Sequence, residues 1–162
     1  MKKTCLYITA GGLYGSDQSL LTLLSNYKFR ETVKPIIIIS SKKSKIIPYL
    51  INLNIDYYII PLSFQVIYNK EKYKNVFLFY FHNYFKRLLK RFFSLYLLQK
   101  IINTKEPDFI HTNTGVYDIG YILSKRNKIK HIWHLREFQD IDMNVDFIGG
   151  IEKFKQKQLT SL

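Results

Sequence analysis

Three short stretches carry residue types that could do chemistry. The first is Gly11–Ser16, at the start of "GGLYGSDQSLLTLL" and just after the apolar run "TCLYITA". Glycines between a strand and a helix let the backbone approach a phosphate closely, and the positive end of the helix dipole favours an anion there. The same cluster also suits a tight turn that needs a positive φ. The second stretch is His111 with Thr112, Asn113 and Thr114, just past "PDFI". It could hold a ligand hydroxyl or cap the helix that follows. The third is "HIWHLREF". Strict alternation puts His131, Trp133 and Leu135 on one face of a strand, and Ile132, His134 and Arg136 on the other. The His134 imidazole can hydrogen-bond a hydroxyl, and Arg136 can pair with a carboxylate or phosphate. An internal pair of Arg136 with Glu137 or Asp140, beside a satisfied core histidine, is the competing reading.

Several chemistries are excluded by spacing. The glycines match neither G-x-G-x-x-G nor G-x-x-x-x-G-K-[ST], so neither a dinucleotide fingerprint nor a P-loop is present. There is no G-x-S-x-G nucleophile elbow. The histidines lack the H-x-x-x-H spacing of a helical zinc pair, and Cys5 stands alone, so we expect no metal site. A single cysteine also rules out an internal disulfide and fits a reducing compartment.

The elements needed to position these stretches alternate along the chain. Strands are expected at Thr4–Ala10, Lys34–Ser40, Ile55–Pro61, across "PDFIHTN" and across "KIKHIWHLRE". Most are continuous apolar runs, as strands covered on both faces are. A helix after the glycines carries Leu20, Leu23, Leu24 and Tyr27 at helical spacing, with Ser16 or Asp17 as its cap. "KSKIIPYLINLN" reads as a short helix whose start Pro48 limits. Val76–Thr104 is one long helix or a pair. "VYDIGYILSKRN" is a helix with Val116, Ile119, Tyr121 and Ile122 as core candidates. A weak helix lies near Gly150–Gln158, and Leu62–Asn75 shows no period. Strands alternating with helices predict one α/β domain, a Rossmann-like parallel sheet with flanking helices. In such sheets ligands collect at the carboxyl ends of the strands, where all three stretches fall.

The 162 residues suit a single domain, and a 47% hydrophobic composition suits a folded one. A formal net charge of +13 favours anionic partners. Part of that charge sits in "NYFKRLLKRFFSLYLLQK", residues 83–100, where Lys86–Arg87 and Lys90–Arg91 alternate with aromatic and leucine pairs. On a helix this predicts both basic pairs on one side and the apolar pairs on the other. Such a helix suits an anionic membrane interface, and an ordinary surface helix with its apolar face in the core competes with that reading. Nucleic acid is the weaker partner, because no known binding motif accompanies the charge. The start "MKKTCLYITAGG" has two lysines and an apolar run, as a secretory leader does, but it passes straight into the glycine cluster. No apolar run approaches the ~20 residues of a spanning helix. We expect a cytoplasmic protein, peripheral on the inner face of the plasma membrane if the basic helix docks there.

Taken together, two blocks carry a family resemblance. "GGLYGSDQSLLTLL" resembles the glycine loop and first helix of GT-B glycosyltransferases, in particular glycosyltransferase family 4. "EPDFIHTNTGVYDIGYILSKRNKIKHIWHLREF" resembles the later part of the same N-terminal domain. The resemblance implies transfer of a sugar from a nucleotide sugar to a glycan or lipid-linked acceptor, with retention at the anomeric carbon and no further cofactor. It implies a cleft between two Rossmann-like domains, of which the N-terminal one mainly receives the acceptor. Gly11 and Gly12 match glycines that approach the donor phosphates and the reacting sugar, and His134 matches a histidine near that sugar. Arg136 and Glu137 match the "H-x-R-E" pattern. Residues 1–162 then form one incomplete N-terminal domain. The C-terminal donor-binding domain, which supplies the charge that stabilises the leaving group, is not in this sequence. The expectation is a truncated or split enzyme, inactive by itself: either a gene fragment or one subunit completed by a separate C-terminal half. The alternative is a non-catalytic basic membrane-surface module on the same fold.

Overall fold

The computed structural model describes residues 1–68, 76–135, 145–148 and 150–160. Five parallel strands make the main sheet: β1 (Lys3–Ile8), β2 (Val33–Ile39), β3 (Asp56–Ile59), β5 (Phe109–Thr112) and β6 (Lys130–Trp133). Their order is β3-β2-β1-β5-β6. Sequential strands run outward from β1 to one side, and the last two occupy the other. The order therefore reverses between β1 and β5, the position at which sheets of this kind open a crevice at their carboxyl ends. The register aligns Leu6 with Ile36 and Ile110, and Ile8 with Ile38 and Thr112.

The alternation of β1 and β2 divides the interior in two. Leu6, Ile8, Ile36 and Ile38 face one layer with Leu98, Ile102, Ile119 and Leu123. Cys5, Tyr7, Ile37 and Ile39 face the other with Leu20, Leu24, Ile46 and Leu50. Both faces being covered is why "KPIIIIS" contains no polar alternation. Burial pushes the Cys5 thiol up to about 12, so it behaves as a core residue rather than a nucleophile.

The helices are α1 (Gly15–Ser25), α2 (Tyr27–Thr32), α3 (Ile47–Asn52), α4 (Val76–Lys105), α5 (Ile119–Asn127) and α6 (Ile151–Leu159). Pro48 sits in the first turn of α3, where its missing N–H costs nothing. Two short strands escaped the sequence pattern. They are β4 (Val66–Tyr68), inside the stretch without a period, and β7 (Val145–Phe147), and they pair antiparallel.

Several sequence expectations are corrected. Leu20 and Leu24 are buried, but Leu23 and Tyr27 are exposed. The chain bends at Asn26, whose side chain caps α2 instead. In α5, Leu123 is buried and Tyr121 and Ile122 are only half-buried, so the core stripe is Ile119 and Leu123. Of the two readings of Val76–Thr104, the single long helix is the one the structure has.

The largest correction concerns α4. Its basic pairs do not share a face. Arg91 turns inward and makes two 2.8 Å bonds to the fully buried Asp118. Arg87 turns inward and donates to the Val66 carbonyl at 2.9 Å. Ser94, Leu98 and Ile102 continue that inner face, whereas Lys86 and Lys90 are exposed. The aromatic pairs point outward: Phe85, Phe92 and Phe93 are all exposed, Phe92 at 76%.

Candidate functional site

The glycine loop after β1 is built around an acid that the sequence suggested only as a cap. Tyr14 is the N-cap of α1 and makes no side-chain capping bond. Asp17, in the first turn, is fully buried and reaches back over the loop. It accepts from the Gly11 N–H at 3.3 Å, from the Leu13 N–H at 3.0 Å and from the Thr9 hydroxyl. The arrangement is that of a first-turn carboxyl bonding back to the amides that precede a helix. The amides of Gly11 and Leu13 are thereby committed inside the protein. An anion at this loop would meet Gly12 and the first turn of α1, where Tyr14 and Gly15 are exposed and Ser16 is half-buried.

Gly11 is required on two counts. Its φ is +73°, and a Cβ there would collide with the Ser44 hydroxyl. That hydroxyl donates to the Gly11 carbonyl at 2.7 Å, beside the Lys45 N–H at 3.1 Å. The close approach ties the glycine loop to the segment after β2. Leu13 also holds a positive φ of 66°, a conformation that costs a branched residue about 1 kcal/mol or more and persists only where its surroundings impose it.

Asn113 closes the loop from the β5 side. It is buried, donates to the Ser16 carbonyl at 2.8 Å and to the Thr9 hydroxyl at 3.4 Å, and takes its backbone position from the Ile8 carbonyl. The polar run after β5 therefore braces the glycine loop across the switch point. It does not cap α5, whose N-cap is Asp118.

Two imidazoles stand at the same edge. The register of β6 on β5 places Ile132 opposite His111, so His134 follows on the face that His111 shares. Their rings stack with centroids 5.8 Å apart, and the His111 ring leans on Tyr7 at 4.9 Å. His134 is exposed, and its backbone N–H is fixed by the Thr112 carbonyl at 2.9 Å. His134 thus presents its ring at the carboxyl end of the sheet, on the side where α1 packs. Arg136 and Glu137 lie outside the described residues.

His131 points to the other face. It is buried and bonds the Thr112 hydroxyl at 2.9 Å through Nε2, and Gly120 packs against both. Burial, with His111 and Lys125 adding positive charge nearby, pushes it down to about 4, so it is neutral at physiological pH. It is a structural histidine. Among the described residues no group of three His, Cys, Asp or Glu could hold a metal ion, and no helix is long and apolar enough to cross a membrane.

Sequence reasoning missed the buried ionic centre at Asp118. Arg91 of α4 and Lys157 of α6 both bond it at 2.8 Å. Burial acts to raise this carboxyl, and the two cations outweigh it and hold it below its ordinary value. The three residues lie on different helices, so no local spacing announces them. Asp17 did leave a signal, an acid in the first turn of a helix that follows glycines.

This fold is shared with solved glycosyltransferases. MurG of Acinetobacter baumannii superposes with a TM-score of 0.56 at 15% identity, over 88% of this chain and 39% of its own. A glycosyltransferase from Rickettsia africae gives 0.53 at 19%, over 82% and 29%. The calicheamicin glycosyltransferase CalG4 gives 0.56 at 11%, over 83% and 32%. The chain therefore spans between 29% and 39% of the length of these structures. At such identities the likeness defines the fold, a Rossmann-like domain of the GT-B type. No family model matches the chain, and no curated protein does.

Proposed function

We propose that the chain is the acceptor-binding half of a retaining glycosyltransferase of the family 4 kind. It would act together with a donor-binding domain that carries the nucleotide-sugar pocket. The observation that carries the reading is the switch point. There the glycine loop, Asn113 and the His111–His134 pair converge at the carboxyl end of a GT-B-type sheet. In this reading His134 hydrogen-bonds the transferred sugar and Gly12 leaves room for the donor phosphates. Arg136 and Glu137 follow His134 in the motif. The negative charge that develops on the departing diphosphate is met by the other domain, because leaving-group stabilisation is the largest single catalytic contribution in such chemistry. The donor is a nucleotide sugar, the acceptor a glycan or lipid-linked saccharide, and no further cofactor takes part. In this reading the chain works at the cytoplasmic face of a membrane, where a lipid-linked acceptor is met.

The test is transfer of labelled sugar from a panel of nucleotide sugars to lipid-linked saccharides. The chain is supplied together with a GT-B donor-binding domain. His134→Ala should lower turnover by at least ~100-fold, the usual scale for a positioned polar catalytic group. Gly12→Val, which drives a side chain toward the Tyr14 ring, should do the same. Unchanged turnover in both variants overturns the proposal. The second reading, a membrane module without catalysis, is favoured by the outward aromatic face of α4. It predicts lipid binding and no transfer with any donor domain.

A further inference from the structure

Among the described residues the outer side of α4 stands out as an exposed aromatic surface. Phe85, Leu89, Phe92 and Tyr96 follow one another at intervals of four, three and four residues, so they form one stripe along the helix. Phe93 widens it. All five are more than half exposed. They cannot turn inward, because the opposite side of the helix is already seated on the domain through Arg87, Arg91, Ser94, Leu98 and Ile102. Single exposed apolar residues are ordinary, but a contiguous aromatic stripe marks a contact surface.

We propose that this stripe lies on an anionic lipid surface. Lys86, Lys90 and Lys100 are exposed beside it, and every charged residue of the thirty in α4 is basic. The Lys100 ammonium sits 4.6 Å from the centre of the Tyr96 ring. Aromatic rings flanked by lysines match the boundary between acyl chains and anionic headgroups. The rival occupant, a second copy of the chain, would bring two such lysine rims together, and like charges across an isologous contact repel. The place in the fold is also specific. Ser94 donates to the Pro61 carbonyl just beyond β3, and Arg91 reaches Asp118 just beyond β5. The stripe is therefore level with the carboxyl end of the sheet, the end that holds the glycine loop and His134. The two share that end of the sheet but not its face, since His134 lies on the α1 side and α4 packs on the other. The surface is argued from α4 alone, so lipid binding and sugar transfer can each fail without the other.

The full chain is sedimented with vesicles of equal parts phosphatidylcholine and phosphatidylglycerol, and with phosphatidylcholine alone, at low and high salt. Binding should be at least ~10-fold stronger to the anionic vesicles and should weaken with salt. Phe92→Ser with Phe93→Ser should reduce it by at least ~10-fold, with unchanged circular dichroism, since both rings are more exposed than not. A Phe92→Trp variant should show a blue shift and quenching by brominated lipid. Tyr27→Trp, exposed on the opposite flank, should show neither, and this contrast decides the matter should the double variant fold poorly. The proposal is overturned by equal binding to neutral vesicles or by undiminished binding of the double variant. It is also overturned by a dimer that the double variant dissolves, or by a preference for DNA over vesicles that depends on the same residues.

Discussion

Replacing Asp17 by alanine is the sharpest perturbation the structure offers. The carboxyl is fully buried and serves three donors. Removing it strands the Thr9 hydroxyl and the Gly11 amide, both buried, and the Leu13 amide, which is half-buried. A buried donor without a partner costs about 1–3 kcal/mol. Thr9 bears the full cost, because it is fully buried. Gly11 bears less, because its bond is long at 3.3 Å. Water can reach Leu13. Leu13 also leaves its positive φ once the acid no longer holds it, which returns about 1 kcal/mol. The sum is a loss of roughly 2–4 kcal/mol, more than tenfold in the folding equilibrium. Asp17→Asn should fall between, since it keeps one acceptor but turns an NH2 group toward an N–H.

The assay is urea unfolding followed by the single tryptophan, Trp133, together with hydrogen exchange of the Gly11 and Leu13 amides. The expected result is a lower midpoint with unchanged slope and faster exchange at both amides. A midpoint shift worth less than about 0.5 kcal/mol, the scale of an ordinary surface substitution, would refute the claim that Asp17 organises the loop. So would unaltered exchange at Gly11.

Gly120→Ala should destabilise by about 1–2 kcal/mol. The new Cβ meets Thr112 and His131 across the helix–sheet contact, whereas Gly15→Ala, with nothing nearby, should be neutral or stabilising in the same melt. Asp118→Asn should cost about 3 kcal/mol, at the lower end for a broken buried ion pair because Lys157 can turn to solvent. Exchange should accelerate selectively along Ile151–Leu159, and uniform protection there would refute the anchoring role. His131 is held neutral in the folded state, down to about 4 from an ordinary 6.5. The unfolded chain therefore binds the extra proton first as pH falls. The stability this group contributes is complete above pH 6.5 and is lost on descending to about 4, on the order of 3 kcal/mol. His131→Gln should remove that slope from a plot of stability against pH, and an identical slope in the variant would sink the assignment.

Much of the sheet is legible in the sequence because its physics is local. Ile36 to Ile39 are covered on both faces, so they read as an uninterrupted apolar run. Pro48 can enter α3 only near its start, and it does. The alternation of His131, Ile132 and Trp133 survives into the register of β6, where Ile132 lies opposite His111. What stayed hidden depends on partners distant in sequence. Val66 and Phe147 pair across most of the second half of the chain, and strands of three residues leave no period. Asp118 captures Arg91 from a helix that precedes it and Lys157 from one that follows. Binary patterning assumes that charged residues face water, and it inverts α4 because that buried acid needs them inside.

The inversion links the two ends of the functional reading. Asp118 begins α5 directly beyond β5, at the switch point, and a buried carboxyl there needs cations. Arg91 answers it and Arg87 binds Val66, so the inner side of α4 is committed to polar contacts at those two positions. The helix becomes apolar inside only further on, at Leu98 and Ile102. Its aromatic residues between Phe85 and Tyr96 are thereby displaced outward at the level of the candidate site. If they were a solubility accident, replacing them with serine would improve the protein and alter nothing else. If they dock on lipid, the same replacement would separate the two proposals. Transfer to a short water-soluble acceptor would persist, while transfer to an acceptor embedded in anionic vesicles would fall by at least ~10-fold with the loss of surface concentration.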